Sequence, residues 1–215
     1  TLNRGMFATA GDAESLNLEL AVPGSDLQFY KLTFSGEKYF ALWGDWVLRT
    51  RTELGYADSY GKKDLPFYEH FFAGGFGSVR GFENSSLGPR STDPEFDIDG
   101  NPVPVGFFDD EGDPFGGNIL MEFAAEIIFP LPLVKDTRQF RSAFFVDAGN
   151  VFSTNCKTYS RNCSAFDVGE LRYSVGFGVT WLTGLGPMTF SISKPFNAGE
   201  FDQEEAFQFE LGRSF

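Results

Sequence analysis

Few side chains in this sequence have the setting to do chemistry together, and the first is an arginine. Arg80 stands among glycines and phenylalanines in "FFAGGFGSVRGFENSSLGPR", residues 71 to 90. A guanidinium is always charged, and its planar fork of N–H donors matches a carboxylate two bonds at a time. Left alone out of water it would be costly. Glu126 in "FAAEIIFP" and Asp147 in "FFVDAGNV" are the acids placed to hold it, since each shares the parity of the polar side chains in its own segment. Such a set binds and fixes; it makes and breaks no covalent bond. His70 lies in the same long connection, with no serine or aspartate at the spacing of a hydrolytic site. No catalytic residue is expected, and no enzyme.

Two further groups need weighing. Cys156 and Cys163 flank "KTYSRN", and no nearby histidine or further cysteine completes a zinc site. A loop disulfide is the expected reading, with two free thiols as the alternative, and a disulfide implies an oxidising compartment. Asp97, Asp99 and Asn101 suggest a calcium loop, yet the ligand spacing of an EF-hand is missing. A solvated acidic loop is expected there. No metal and no cofactor are expected.

The elements that position Arg80 emerge when the sequence is read with a period of two. The chain has 215 residues, 27 of them Phe and 25 Gly, and no apolar run near the roughly 18 residues of a membrane helix. Barrel strands need only about 9 to 11 residues each, with hydrophobicity at every second position. "EEAFQFELGRSF" places Phe207, Phe209, Leu211 and Phe215 on one face and Gln208, Glu210, Gly212 and Ser214 on the other. "GPMTFSISKPF" and "LRYSVGFGVTW" alternate likewise, as do segments at about 14–22, 27–42, 46–59, 118–131 and 141–153. Eight strands result, with part of a ninth at "LNRGMFA".

The polar face decides between a soluble sandwich and a membrane barrel. Arg49, Arg51, Glu53, Glu122, Glu126, Asp147 and Glu210 share it, while Trp46, Tyr56, Phe129, Tyr173, Trp181 and Phe215 lie near strand ends. A greasy outside, a charged lumen and aromatic girdles define an outer-membrane barrel. The fold expected is therefore all-β, a transmembrane antiparallel β-barrel. Connections 132–140 and 184–185 are short, whereas 60–117 and 154–170 are long. Short turns face the periplasm, so 60–117 is an extracellular loop and Phe215 ends at the periplasmic face. A net charge of −13 excludes nucleic acid as a partner. The chain opens "TLNRG" without an initiator methionine or a signal-peptide pattern, as a processed protein or an excised piece would.

The long connection divides in two. Its second half is acidic and rich in Pro and Gly, suited to an exposed cap; its first half is too apolar for water and too rich in glycine for lipid. The first half is expected to fold back into a polar lumen, with Arg80 on the wall.

Here the residues carry a family resemblance. "AGGFGSVRGFENSSLGPR", with Val79, Arg80, Gly81 and Phe82 at its centre, resembles the sixth-loop motif of the BamA family of outer-membrane protein assembly factors. "FFVDAGNVF" and "FQFELGRSF" resemble that family's later strands, and the likeness covers essentially the whole chain. It implies a 16-stranded barrel preceded by periplasmic POTRA domains, in the bacterial outer membrane. It implies no covalent catalysis but help to nascent outer-membrane β-barrel proteins as they fold and insert, with accessory lipoproteins of the assembly complex, the bilayer and lipopolysaccharide as further partners. It also implies that acids at Glu126 and Asp147 hold the loop arginine, as a structural clamp or with an active part. Residues 1–215 would be the C-terminal part of the barrel, about eight strands, with the POTRA domains absent from the chain. A closed eight-stranded barrel has room only for its own side chains, so a larger ring must enclose the loop.

The resemblance implies a lateral seam that opens between first and last strands. On this chain its residues are Phe207, Phe209, Leu211, Gly212 and Phe215. Gly212 lacks a packing side chain and favours bending, and a frayed last strand exposes N–H and C=O groups that template an incoming strand. Two alternatives remain: a secretion pore of the same superfamily, of the two-partner kind, which shares the V-R-G-[FY] loop, and a passive porin.

Overall fold

The computed structural model describes residues 2–3, 7–22, 24, 27–60, 63–91, 112–131, 139–156 and 160–212. Eight strands build one antiparallel sheet: β1 (Gly11–Leu20), β2 (Phe29–Ala41), β3 (Val47–Ser59), β6 (Ile119–Phe129), β7 (Phe140–Phe152), β9 (Arg172–Thr183), β10 (Gly186–Phe196) and β11 (Phe207–Leu211). They lie in chain order, each paired to the next, and among the described residues β1 and β11 stand at the two ends of that order, so the sheet is open. Three two-residue strands, β4 (Arg90–Ser91), β5 (Asp113–Pro114) and β8 (Ser160–Arg161), make a second small sheet in the order β5-β4-β8.

Alternation explains the long strands. Leu16, Leu18, Leu20, Phe144, Val146 and Ile192 point outward and are exposed, Leu16 to 68%. The opposite face buries Glu122, Glu126, Asp147, Thr180, Thr189 and Ser191. A soluble sandwich hides its apolar face against another sheet; this one presents it to the surroundings. Among the described residues no helix is long and apolar enough to cross a membrane. Rings gather at the short-turn end, where Trp43 stacks on Trp46 (5.6 Å), Trp46 on Phe129 (5.1 Å) and Phe140 on Trp181 (5.7 Å).

The expected strands need adjusting at both ends of the chain. β1 starts at Gly11, because Gly11, Asp12 and Ala13 still pair with Tyr39, Lys38 and Glu37 of β2. Leu2, Asn3, Phe7 and Ala8 belong to no strand; Asn3 instead closes a turn, its backbone N–H donating to the carbonyl of Ala10 at 3.1 Å. β11 ends at Leu211, so Gly212 follows the strand rather than lying in it, at φ 100° and with its N–H on the carbonyl of Pro187 (2.8 Å). Phe215 lies outside the described residues, as do Asp97, Asp99 and Asn101.

The main apolar core sits on the polar side of the sheet, contrary to a wholly polar lumen. Phe71, Ala73, Val79, Phe82 and Leu87 of the long connection pack with Ala57, Leu120 and Val151 of the strands. Those three wall positions share the inward parity of the charged residues, which is where the loop finds greasy ground. Burying Phe82 completely is worth about 1.5–3 kcal/mol, enough to hold the loop down.

Candidate functional site

The site is built by a tight turn that hands Arg80 to the wall. The N–H of Ser78 donates to the carbonyl of Gly75 and that of Gly75 to Val79, each at 3.1 Å, while Gly74 N–H donates to Ser78 Oγ at 2.8 Å. Gly81 follows at φ 92°, a left-handed conformation, and a Cβ there would lie 3.0 Å from Ser193 Oγ. Only glycine lets the backbone rest against β9 and β10 at this point.

Arg80 is buried and fully engaged. Its Nε and Nη2 donate to Asp147 Oδ2 and Oδ1, both at 2.7 Å, and its backbone N–H donates to Oδ2 at 3.1 Å. Nη2 also meets Glu126 Oε1 at 2.7 Å. The guanidinium lies 3.5 Å above the centre of the Phe145 ring, a cation–π contact. Val79 and Phe82, on either side, are wholly buried. Burial opposes the charge of Arg80, but Asp147 and then Glu126 more than offset it, so its pKa lies above the ordinary arginine value.

The charges continue along the wall. Glu126 Oε2 accepts from Arg49 Nη1 at 2.9 Å, and Arg49 reaches Glu37 Oε1 through Nε and Nη2, each at 2.6 Å. Glu37 also accepts from the Tyr39 hydroxyl at 2.9 Å. Nearer the turn, Arg51 donates to the carbonyls of Gly77 and Ser78, and the Ser78 hydroxyl donates to Glu122. Three strands, β3, β6 and β7, thereby supply partners to one loop.

The far side of the motif grips the chain leading into β11. Glu83 N–H donates to the Gln203 carbonyl and Glu205 N–H to the Gly81 carbonyl, both at 2.8 Å. Gln208 donates through Nε2 to the Phe82 carbonyl at 2.7 Å and accepts from Gly81 N–H at 3.3 Å. Backbone groups spent on the loop are not available to β10, and β11 accordingly starts at Phe207 rather than at 204. Phe207, Phe209 and Leu211 point outward and are exposed, with Phe209 against Phe190 (5.0 Å).

Sequence reasoning overlooked Phe145 and Gln208 as partners of the loop. Both share inward parity with the charged residues, and an aromatic ring on an otherwise polar face was the available signal. His70 serves the loop itself, Nδ1 donating to the carbonyl of Phe115 at 2.9 Å. Cys156 and Cys163 are joined as a disulfide. Among the described residues no three His, Cys, Asp or Glu side chains converge on a metal position.

A sheet with its greasy face outward and its charged face clamping an inserted loop is the wall of a membrane β-barrel. Residues 1–215 match the Omp85 superfamily domain throughout, and the chain belongs to that superfamily. It is 37% identical to the outer membrane protein assembly factor BamA of Neisseria meningitidis, over 98% of this chain and 27% of that protein. It is 30% identical to a SAM50-like protein of Schizosaccharomyces pombe, over 98% of this chain and 41% of the relative. The crystal structure of BamA from Haemophilus ducreyi lacking POTRA domains 1–3 superimposes with a TM-score of 0.81 at 33% identity, over 97% of this chain and 39% of that one. The chain thus spans well under half the length of these relatives.

Proposed function

We propose that this chain is the C-terminal part of the barrel of an assembly factor that helps other β-barrel proteins fold and insert into the bacterial outer membrane, without catalysing a covalent reaction. The long loop lies on the extracellular side and its Arg80 clamp keeps the wall in shape. Nascent barrel proteins, accessory lipoproteins and the surrounding lipid, including lipopolysaccharide, are the partners. What carries this reading is Arg80 seated between Asp147 and Glu126 in a chain 37% identical to the Neisseria assembly factor.

The lateral seam belongs to the same proposal. β11 is five residues long and, among the described residues, pairs with Met188–Ile192 of β10, whereas β10 pairs with β9 along its full length. Its outer edge, which no other described strand covers, would offer N–H and C=O groups to an incoming strand, and β-augmentation is a general route for such addition. Gly212, at φ 100° just past the strand and still bonded to the Pro187 carbonyl, would be the point at which the edge bends.

The test uses the full-length protein with Arg80→Ala. Loss of heat-resistant gel mobility and a fall of tenfold or more in the rate of substrate-barrel insertion into vesicles are expected. Unchanged mobility together with unchanged insertion would contradict the proposal.

A further inference from the structure

A second buried cation stands at the long-loop end of the sheet, away from Arg80. Arg172 opens β9 with its side chain 3% exposed, and its Nε donates to Asp202, whose carboxylate is fully buried. Nη1 donates to the Glu170 carbonyl at 2.9 Å and to Glu170 Oε2 at 3.0 Å. Asp202 also accepts from Gly199 N–H at 2.6 Å and from Asn162 Nδ2 at 3.0 Å. Asn162, one residue before a disulfide cysteine, donates as well to the Gly88 carbonyl of the long connection at 3.1 Å. Arg90 completes the tie, reaching the carbonyls of Gly112 (2.9 Å) and Phe201 (3.2 Å).

Buried ion pairs add little net stability over apolar side chains of similar size, but they specify geometry, and removing one partner is costly. The geometry specified here is that of connection 197–206. Asp202 is the last residue before Gln203, where the backbone begins to pair with the loop motif. The connection is therefore gripped twice: by Arg172, Asn162 and Arg90 over 199–202, and by the Arg80 loop over 203–208. Beyond the second grip, the one described strand beside β11 is β10.

We infer that Arg172, Asp202 and Asn162 form an outer clamp, separate from Arg80, whose task is to position the start of β11. Strand addition at the β11 edge then works against a fixed origin, and motion is confined to the stretch from Phe209 onward. The purpose of that edge rests on the assembly function proposed above; the clamp itself does not.

Hydrogen exchange in the full-length protein in lipid nanodiscs tests it, with Asp202→Asn and the charge-conserving Arg172→Lys. Both variants are expected to raise amide exchange over 197–206 at least tenfold while the Arg80 amide stays protected, and to slow substrate-barrel insertion several-fold. Arg172→Lys, which keeps one bond to Asp202 but loses the fork, should fall between wild type and Asp202→Asn. Unchanged exchange over 197–206, or a rise shared equally by the Arg80 amide, overturns the clamp. Raised local exchange with wild-type insertion, in a protein that Arg80→Ala does slow, overturns its positioning role. Should Arg80→Ala leave insertion untouched as well, the assembly function fails, and raised local exchange still supports the clamp.

Discussion

Asp147 takes three hydrogen bonds from Arg80, whereas Glu126 divides its two oxygens between Arg80 and Arg49. The two acids are therefore not equivalent. Asp147→Asn should loosen the loop by about 3–5 kcal/mol, the usual consequence of breaking a buried pair, and Glu126→Gln by less, because Arg49 keeps Glu37. Protease cleavage of the long loop in native membranes would rank them, and equal susceptibility would contradict the ranking. Gly81→Ala should cost more than about 1 kcal/mol through its positive φ alone, and the added Cβ meets Ser193 Oγ at 3.0 Å. The parity of β6 and β7 already puts Glu126 and Asp147 on the polar face, so this part of the site is legible in local pattern. Arg172 and Asp202 are not: 30 positions separate them, and Asp202 sits in a connection with no period to read.

Among the elements, long alternating runs could be read from residue types, while short or diverted ones could not. β4, β5 and β8 are two residues each, too brief for any period, and the first residues of the expected last strand pair with the loop instead. The outward face invites a direct test. Val146 is exposed near the middle of β7, and Val146→Arg should cost about 2–4 kcal/mol of folding stability in a bilayer, as cations do at the midplane of a lipid-facing strand. Denaturant titration of the vesicle-folded protein would check it; a neutral effect would mean that this face does not meet lipid. Replacing both Cys156 and Cys163 by Ser removes a short cross-link worth about 2 kcal/mol in the chain-entropy picture. Its expected signature is local: faster exchange around Asn162, with the Arg80 amide unaffected and heat-resistant mobility retained.

At the scale of the whole molecule, the open sheet ends, among the described residues, at β1 and β11, and its polar face is too crowded for an eight-stranded ring. Closing such a ring would leave room only for wall side chains, yet Phe71, Val79, Arg80, Phe82 and Leu87 already occupy that space. The 215-residue chain on its own should therefore self-associate in detergent, the β11 edge of one copy meeting the β1 edge of another. A monodisperse monomer by sedimentation at every concentration, with the Arg80 loop still protected, would contradict this. The −13 net charge was legible as an argument against nucleic acid and alternation as an argument for a barrel wall, while the openness of the sheet followed from the length of connection 60–117, which a closed eight-stranded ring could not hold, rather than from any local mark. The aromatic stacks at the short-turn end carry one more consequence. All three tryptophans of the chain, Trp43, Trp46 and Trp181, belong to them, so its intrinsic fluorescence is an optical probe of a single leaflet, dimmed by brominated lipid placed there and blind to quencher confined to the other.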